Sequence, residues 1–581
     1  MKTILLWDPR FPDRRPARIT VEDTVASAAV RAGVAAAANP AEAGVLSAGG
    51  ALDPTMLTEV VLQHGFGGGT RRVVLPYSVV MVGALAGVLA AIGTPIASGV
   101  TPAPSPTPTP SVSLVAPAGM NLSSTPFTVG RVGSGTSSTF VTDYNHASKR
   151  PATATTFYVS TTGDKEANGL SPAAAIPSIA LAIVLGNATG APYAIEIAAG
   201  TYNVLTSYAR TAAPAGTYVA SWTNQSPTQS CAIYCPSGVC VISHAFTQQT
   251  FTATADPNIY FRTLTSNGGR WVIDKTKTDD TGAFVGLDQV LTVADAAAPF
   301  PEINALWTPE CGACWYQTGS TRIWVRLPDN RVPDANVVLI RDNAISAGVN
   351  AAPPASITIW MDNLQFWGGN KAFSVTTTQA IAVNTYTNNC QFLYAGSHAN
   401  GLGAGCFAHT GGPGEIVHQN GIGSYGNLDG FNYHGPSVST VQADCPVAYE
   451  IGCKSRSAGW DGSLANNGST IHEACRAVRV NGDYRSNADR TIHDVNRARS
   501  WNVGCNVVPR RGQDGTERSA AYAIGHPTDG LTSITWLDNC KFAGTPQFPF
   551  EAYTGSTLNY ANMAVIPTSG GLGGTVAAYT P

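Results

Sequence analysis

The chain has 581 residues, too many for one ordinary domain but not for an elongated repeat fold. Charged residues make up only 12% and the net charge is −3, which argues against a nucleic-acid partner and against a polybasic membrane-surface patch. Sixty glycines, with abundant Ser, Thr, Asn and Ala, point to strands and turns rather than long solvated helices.

In chain order, MKTILLW runs straight into DPRFPDRRPAR, with no h-region or small-residue cleavage site of a secretory signal. The segment ITVEDTVASAAVRAGVAAAANP (19–40) predicts a helix, started by Thr20 or Glu22 and ended at Asn39-Pro40. Residues 73–97 make a predominantly apolar run, and no charge occurs between Arg72 and Arg131. That run is long enough to span a bilayer, with Arg71 and Arg72 on the cytoplasmic side. Pro76, Gly83, Gly87, Gly93 and Pro95 make it an imperfect membrane helix, however, and favour a peg that three sister chains bury around one axis. TPAPSPTPTPSVS (101–113) follows as a polyproline-like spacer of ~3.1 Å per residue.

From residue 131 the chain reads as β. Runs of Val-, Ile-, Tyr- and Trp-rich sequence recur between Gly, Asn and Asp, among them SITIWMDNLQFWGG, AIAVNTYTNNCQFLY, VAYEIGCKSRS, CRAVRVNGDYRS and SITWLDNCKFAG. Their irregular spacing is too wide for hairpins and lacks the helices of βαβ units, which suits solenoid coils with variable loops. The predicted organisation is an attachment region (1–100), a Pro-rich linker (101–130), a trunk (131–545) with an irregular insertion around 204–350, and a cap or trimer-contact segment (546–581).

Residues 157–203 sharpen this reading. Tyr158-Val159-Ser160 leads to Gly163-Asp164, Gly169-Leu170-Ser171-Pro172 follows, then the helical PSIALAIVLG and a strand ending in Gly200-Thr201-Tyr202. This resembles the opening of right-handed parallel β-helix proteins of the pectate-lyase-like class, in which the helix covers the open end of the first coil. TNNCQF, WLDNCKF and WMDNLQFWG resemble the Asn-rich coil turns of the same class. At ~25 residues and ~4.8 Å per coil, the trunk would hold about 15 coils over roughly 75 Å. Together with the attachment region and spacer, the resemblance extends to phage tail spike and fibre proteins. It implies a homotrimer in the virion, bound to other virion proteins through residues 1–100 and touching a host surface polysaccharide. Whether it also acts as a polysaccharide depolymerase, a glycoside hydrolase or lyase, stays open. The alternative is a membrane-anchored protein of the bacterial cell surface, an adhesin or a polysaccharide lyase or hydrolase.

Seven of the ten histidines lie between residues 398 and 526, where the density of Asp, His and Glu is unusual for so uncharged a chain. Glycoside cleavage needs two carboxyl groups across the bond, for which Asp429, Asp461, Glu473, Asp483 and Asp494 are candidates. A lyase needs a base, His434 or His472, with Arg476, Arg479 or Arg485 steadying negative charge. Tyr425, Tyr433, Trp460 and Trp501 are candidate stacking platforms for sugar rings, within a wider aromatic set that includes Trp360, Trp367 and Tyr394. Against these stand ordinary roles: Asp-Gly is common turn chemistry, and His472-Glu473 and His493-Asp494 would face opposite ways on a strand. No histidine spacing matches a metalloprotease motif, so no metal and no cofactor are expected. Seven isolated cysteines read as small buried residues; Cys231, Cys235, Cys240, Cys311 and Cys314 leave zinc, a disulfide or buried thiols open.

Overall fold

A computed structural model describes residues 112–581 except 247–249, 265–268, 291–292, 317–321, 342–346, 397–404, 427, 437–439, 457–466, 486–489, 509–519, 529 and 543–548. Within residues 1–111 it describes the backbone of five strands. These form an antiparallel sheet in the order Ala35–Ala37, Lys2–Leu6, Ala17–Val21, Leu57–Gln63, Thr70–Pro76. The helix expected over 20–39 is therefore corrected at both ends. Ile19, Thr20 and Val21 are β-branched and pair with the KTILL strand, and Ala35–Ala37 joins that strand's other edge, so pairing overrides alanine's helix preference. The first residues of the apolar run, 73–76, are strand paired to Leu57–Gln63. Residues 77–97, the rest of the expected peg or anchor, and residues 101–111 of the spacer lie outside the described residues. Among the described residues no helix is long and apolar enough to cross a membrane.

The trunk is mainly β and is built on three long parallel sheets, of twelve (sheet I), nine (sheet II) and eight strands (sheet III) among the described residues. From Ile357 the chain visits them in fixed order. Ile357–Asp362 lies in sheet I, Leu364–Trp367 in sheet II and Phe373–Thr376 in sheet III, and Val383–Asn388 then returns beside the first. The winding is that of a solenoid. Twelve strands replace the expected 15 or so coils, because loops and an insertion take up chain; at ~4.8 Å per strand sheet I is roughly 53 Å long.

A single left-handed residue makes the bend from sheet I to sheet II. It is Asn363, Asn389, Asn420, Gly452, Asn481, Gly504 or Asn539, spaced 23 to 35 residues apart. Asn and Gly tolerate this backbone, which explains the Asn-rich turns read from the sequence. Cys390, Cys453, Cys505 and Cys540 follow such residues. Each fits a small side chain into the bend, where the Cys453 thiol donates to the His418 carbonyl (3.2 Å) and Cys540 to that of Asn502 (3.3 Å). All twelve cysteines are thiols, eleven of them buried, and they form no metal-ligand group among the described residues, which removes the disulfide and zinc alternatives.

The expected opening is present. Thr155–Val159 and Tyr193–Ile197 flank the helix Ile179–Ala188, whose N-cap Ser178 accepts from the Leu181 amide (3.0 Å). Ile179, Leu181 and Ile183 are buried against Phe157, Tyr193 and Trp222, so the helix covers the apolar end of the lumen. Between Cys240–Ser243 and Ala347–Val349 the chain leaves the coils, as the irregular 204–350 region suggested. It builds a side domain of a five-stranded and a three-stranded sheet with the helix Phe300–Leu306. This domain stands on the outer face of sheet II through Trp271, packed with Trp367, Tyr394 and Tyr425.

Residues 112–130 of the expected linker, with 131–150, form a strap. The strands Val112–Leu114, Val129–Val132 and Thr139–Thr142 form a small antiparallel sheet. Leu114, Met120, Phe127, Phe140 and Tyr144 then cover the outer apolar face of sheet I, from Trp360 to Trp536. The 546–581 segment extends the sheets: Phe550–Ala552 joins sheet III, and Thr557–Ala561 and Thr575–Ala578 join sheet I.

Candidate functional site

The lumen accounts for several of the predicted site residues. Along sheet I, Thr387, His418, Glu450, Arg479, Asn502 and Leu537 occupy one register row. Arg479, fully buried, lies 3.3 Å from Asp494 and 3.7 Å from Glu450. Asp494 also accepts from the Ser500 and Thr535 hydroxyls, and Glu450 from Ser469 (2.7 Å) and Tyr484. Asp494 is thus an interior counter-ion, at 1% exposure, closed to any polymer chain. The strand places it there: His493 and Asp494 alternate, and both are enclosed.

Asp429 is likewise interior, at 3% exposure. It accepts from the Asn467 amide (2.8 Å), the Asn467 side chain (3.1 Å) and Asn432. Burial pushes its carboxyl up to about 6, against the pull of those hydrogen bonds. Asp429 and Asp494, expected as candidate catalytic carboxyls, both lie in the interior and serve it. Asp483 pairs with Arg456 (2.8 Å) and Arg485 (2.8 Å), and Asp280 of the side domain reaches the same two arginines. Asp461 and Trp460 lie outside the described residues.

The predicted sugar platforms that are described have no open ring face. Tyr433 is fully buried beside Phe407. Tyr425, at 4% exposure, stacks on Tyr394 beneath the side domain and donates to Asp279 (2.9 Å). Trp501, at 1%, lies on sheet I under the strap. Tyr425, Tyr433 and Trp501 are packing of the layers, which corrects their reading as stacking platforms.

Three predicted residues do come together. His434 ends the strand Asp429–His434 and His472 follows the paired strand Ser469–Ile471 one coil on, so parallel register sets one above the other. Their rings stack at 3.8 Å and 13°. Glu473 follows with φ +52°, a conformation that turns its side chain back toward its neighbours instead of away from His472. Its carboxylate accepts from the Gly435 amide (2.9 Å) and lies 3.4 Å from His434 Nδ1. One ligand atom from each residue falls within 4.8 Å of the other two, and all three side chains are half-buried. Burial, reinforced by the neighbouring His434, His493 and His526, holds the His472 imidazole well below its ordinary value and hence neutral.

A second feature went unread in the sequence. An open groove of about 460 Å³ lies where the strap meets sheet I, lined by Tyr144, Arg150, Trp360, Asp362, Asn388 and Gln419. Asp362, Asn388 and Gln419 stand in register on three successive coils, each just before the left-handed turn residue. Asn388 donates to Asp362 (2.9 Å), and Arg150 lies over the rings of Tyr234 (4.5 Å) and Trp360 (5.3 Å). Burial raises the Asp362 carboxyl, with Asn388 and Arg150 pulling the other way. Aligning the coils on the turn asparagines would have exposed this polar column. Trp360 was visible as an aromatic, but nothing local links it to Arg150.

No family model matches the chain, and no curated protein matches it either.

Proposed function

We propose that this chain is a right-handed parallel β-helix protein of a phage virion, a homotrimeric tail spike, fibre or head decoration that grips a host surface polysaccharide. The observation that supports it best is the column Asp362–Asn388–Gln419 beside Arg150 and Trp360. Planar amides both donate and accept, a carboxylate accepts, and guanidinium donates in a fork, so the column offers each kind of partner that sugar hydroxyls take. Its repeat of ~4.8 Å per coil lets an extended glycan be read residue by residue along the rod. The reading is of recognition rather than cleavage, because Asp429 and Asp494 are sealed inside. Residues 1–100 hold the particle in this reading, and the rod faces the host.

Binding of purified full-length protein to capsule and lipopolysaccharide from candidate hosts, followed by calorimetry, tests it. The expected result is saturable binding that weakens at least tenfold in Asp362→Ala and Gln419→Ala, with unchanged melting. Binding indifferent to both substitutions overturns the groove. A chain that extracts only with membranes, and is monomeric by light scattering, overturns the virion assignment. New reducing or unsaturated sugar ends would overturn recognition without cleavage.

A further inference from the structure

We infer that His434, His472 and Glu473 form a binding site for a divalent first-row transition-metal ion of the zinc class. The donors are two imidazole nitrogens and a carboxylate oxygen, a set that suits zinc, and three protein ligands leave a position for water. Bonds of about 2.1 Å in a tetrahedral site put ligand atoms about 3.4 Å apart. His434 Nδ1 and Glu473 already stand at 3.4 Å, and the whole trio lies within 4.8 Å.

Two further observations favour a ligand here. Glu473 occupies left-handed backbone that disfavours its side chain, whereas the next coil has Asn496 (φ +65°), a residue suited to it. That backbone is what brings the carboxylate alongside the His434 ring of the preceding coil. The trio is also joined across the coil interface: His472 donates its amide to the Tyr433 carbonyl (2.9 Å), and Glu473 accepts from Gly435 (2.9 Å). A bound ion would clasp two coils at a corner of the rod.

The stacked rings define the movement required. A metal lies in the plane of the imidazole that binds it, and two nearly parallel planes 3.8 Å apart at their centroids share no such point. One ring must turn about its Cβ–Cγ bond. Both rings are half-buried, not packed in the lumen, so the turn leaves the coil core in place.

Tag-free full-length protein titrated with Zn²⁺ alone, and with Co²⁺ as a spectroscopic reporter, provides the test. One equivalent should bind per chain, and affinity should fall at least tenfold in each of His434→Ala, His472→Ala and Glu473→Gln, checked for folding by circular dichroism. Should a variant fail to fold, imidazole nitrogen NMR of the unaltered protein decides: zinc should shift two histidine side chains, those of sequential coil neighbours. No binding at millimolar Zn²⁺, binding that survives all folded variants, or ion-induced shifts confined to other histidines would overturn the site.

Discussion

Two stretches of one lumen are filled in opposite ways. Between residues 364 and 431 phenylalanines fill it in register: Phe366 stacks on Phe392 (5.5 Å, 14°) and Phe373 on Phe407 (5.8 Å, 9°). Between 447 and 538, other register rows of sheets I and III bring Glu450, Arg479, Asp494, Ser500 and Asn502 into the interior. The coil backbone is common to both, so the winding does not dictate what fills it. Apolar stacking stabilises by area removed from water and tolerates near-isosteric change. A buried ion network stabilises only when complete, because each charge left alone in the interior costs several kcal/mol. His418 lies at the boundary, edge-on to Phe407 (4.3 Å) and hydrogen-bonded to Thr387 (2.7 Å).

Acid breaks this comparison most strongly. Burial depresses His418 and His493 to about 3, and His244 and His409 to about 4. These rings are neutral in the fold and protonate freely when unfolded. Their contribution is full above about pH 6.5 and is lost as pH falls toward the folded values. Asp429 runs the other way: raised to about 6, it favours the fold below about pH 4 and loses that contribution as pH climbs through 6. Acidification to pH 4.5 crosses about two of the pH units between the free and folded values of His418, about 3 kcal/mol, so urea unfolding at pH 7 and pH 4.5 should show a net loss on acidification, flattened in His418→Gln.

Arg479→Met should come next, at about 3–5 kcal/mol in equilibrium denaturation, since Glu450 and Asp494 are left uncompensated. Replacing Glu450, Arg479 and Asp494 together by apolar residues should cost less than Arg479→Met alone, which would mark the network as a closed unit. Phe392→Leu, in the apolar stretch, should cost about 1–2 kcal/mol and leave the winding intact. The smallest effect is expected from thiol reagents: in native buffer, mass spectrometry should find at most Cys311 modified, since the other eleven thiols are buried.

The solenoid itself was legible because its signals are local. Asn-Cys and Asp-Asn turns, β-branched runs and the capping helix at PSIALAIVLG each declare themselves within a few residues. The N-terminal sheet was misread because alanine-rich sequence reads as helix until a partner strand pairs with it. In the candidate site, the residue types at 434, 472 and 473 were visible but not their meeting. His472 and Glu473 were expected to diverge, and only a positive φ at Glu473 brings both to one side. Aromatics were misassigned for a related reason: composition shows that Trp501 and Tyr425 exist, while the strap and the side domain that enclose them come from residues 112–150 and 246–341.

The strap also sets an order of assembly. It is synthesised before every coil it touches. Yet Gly119 lies against Trp536 and accepts from Arg499, while the indole of Trp360 donates to the His146 carbonyl (2.9 Å). Its seat is complete only when residues near both ends of the trunk have emerged and wound. A segment made early therefore latches last, and a chain whose late coils misfold keeps the strap undocked, with the outer apolar face of sheet I uncovered for a chaperone or protease to find.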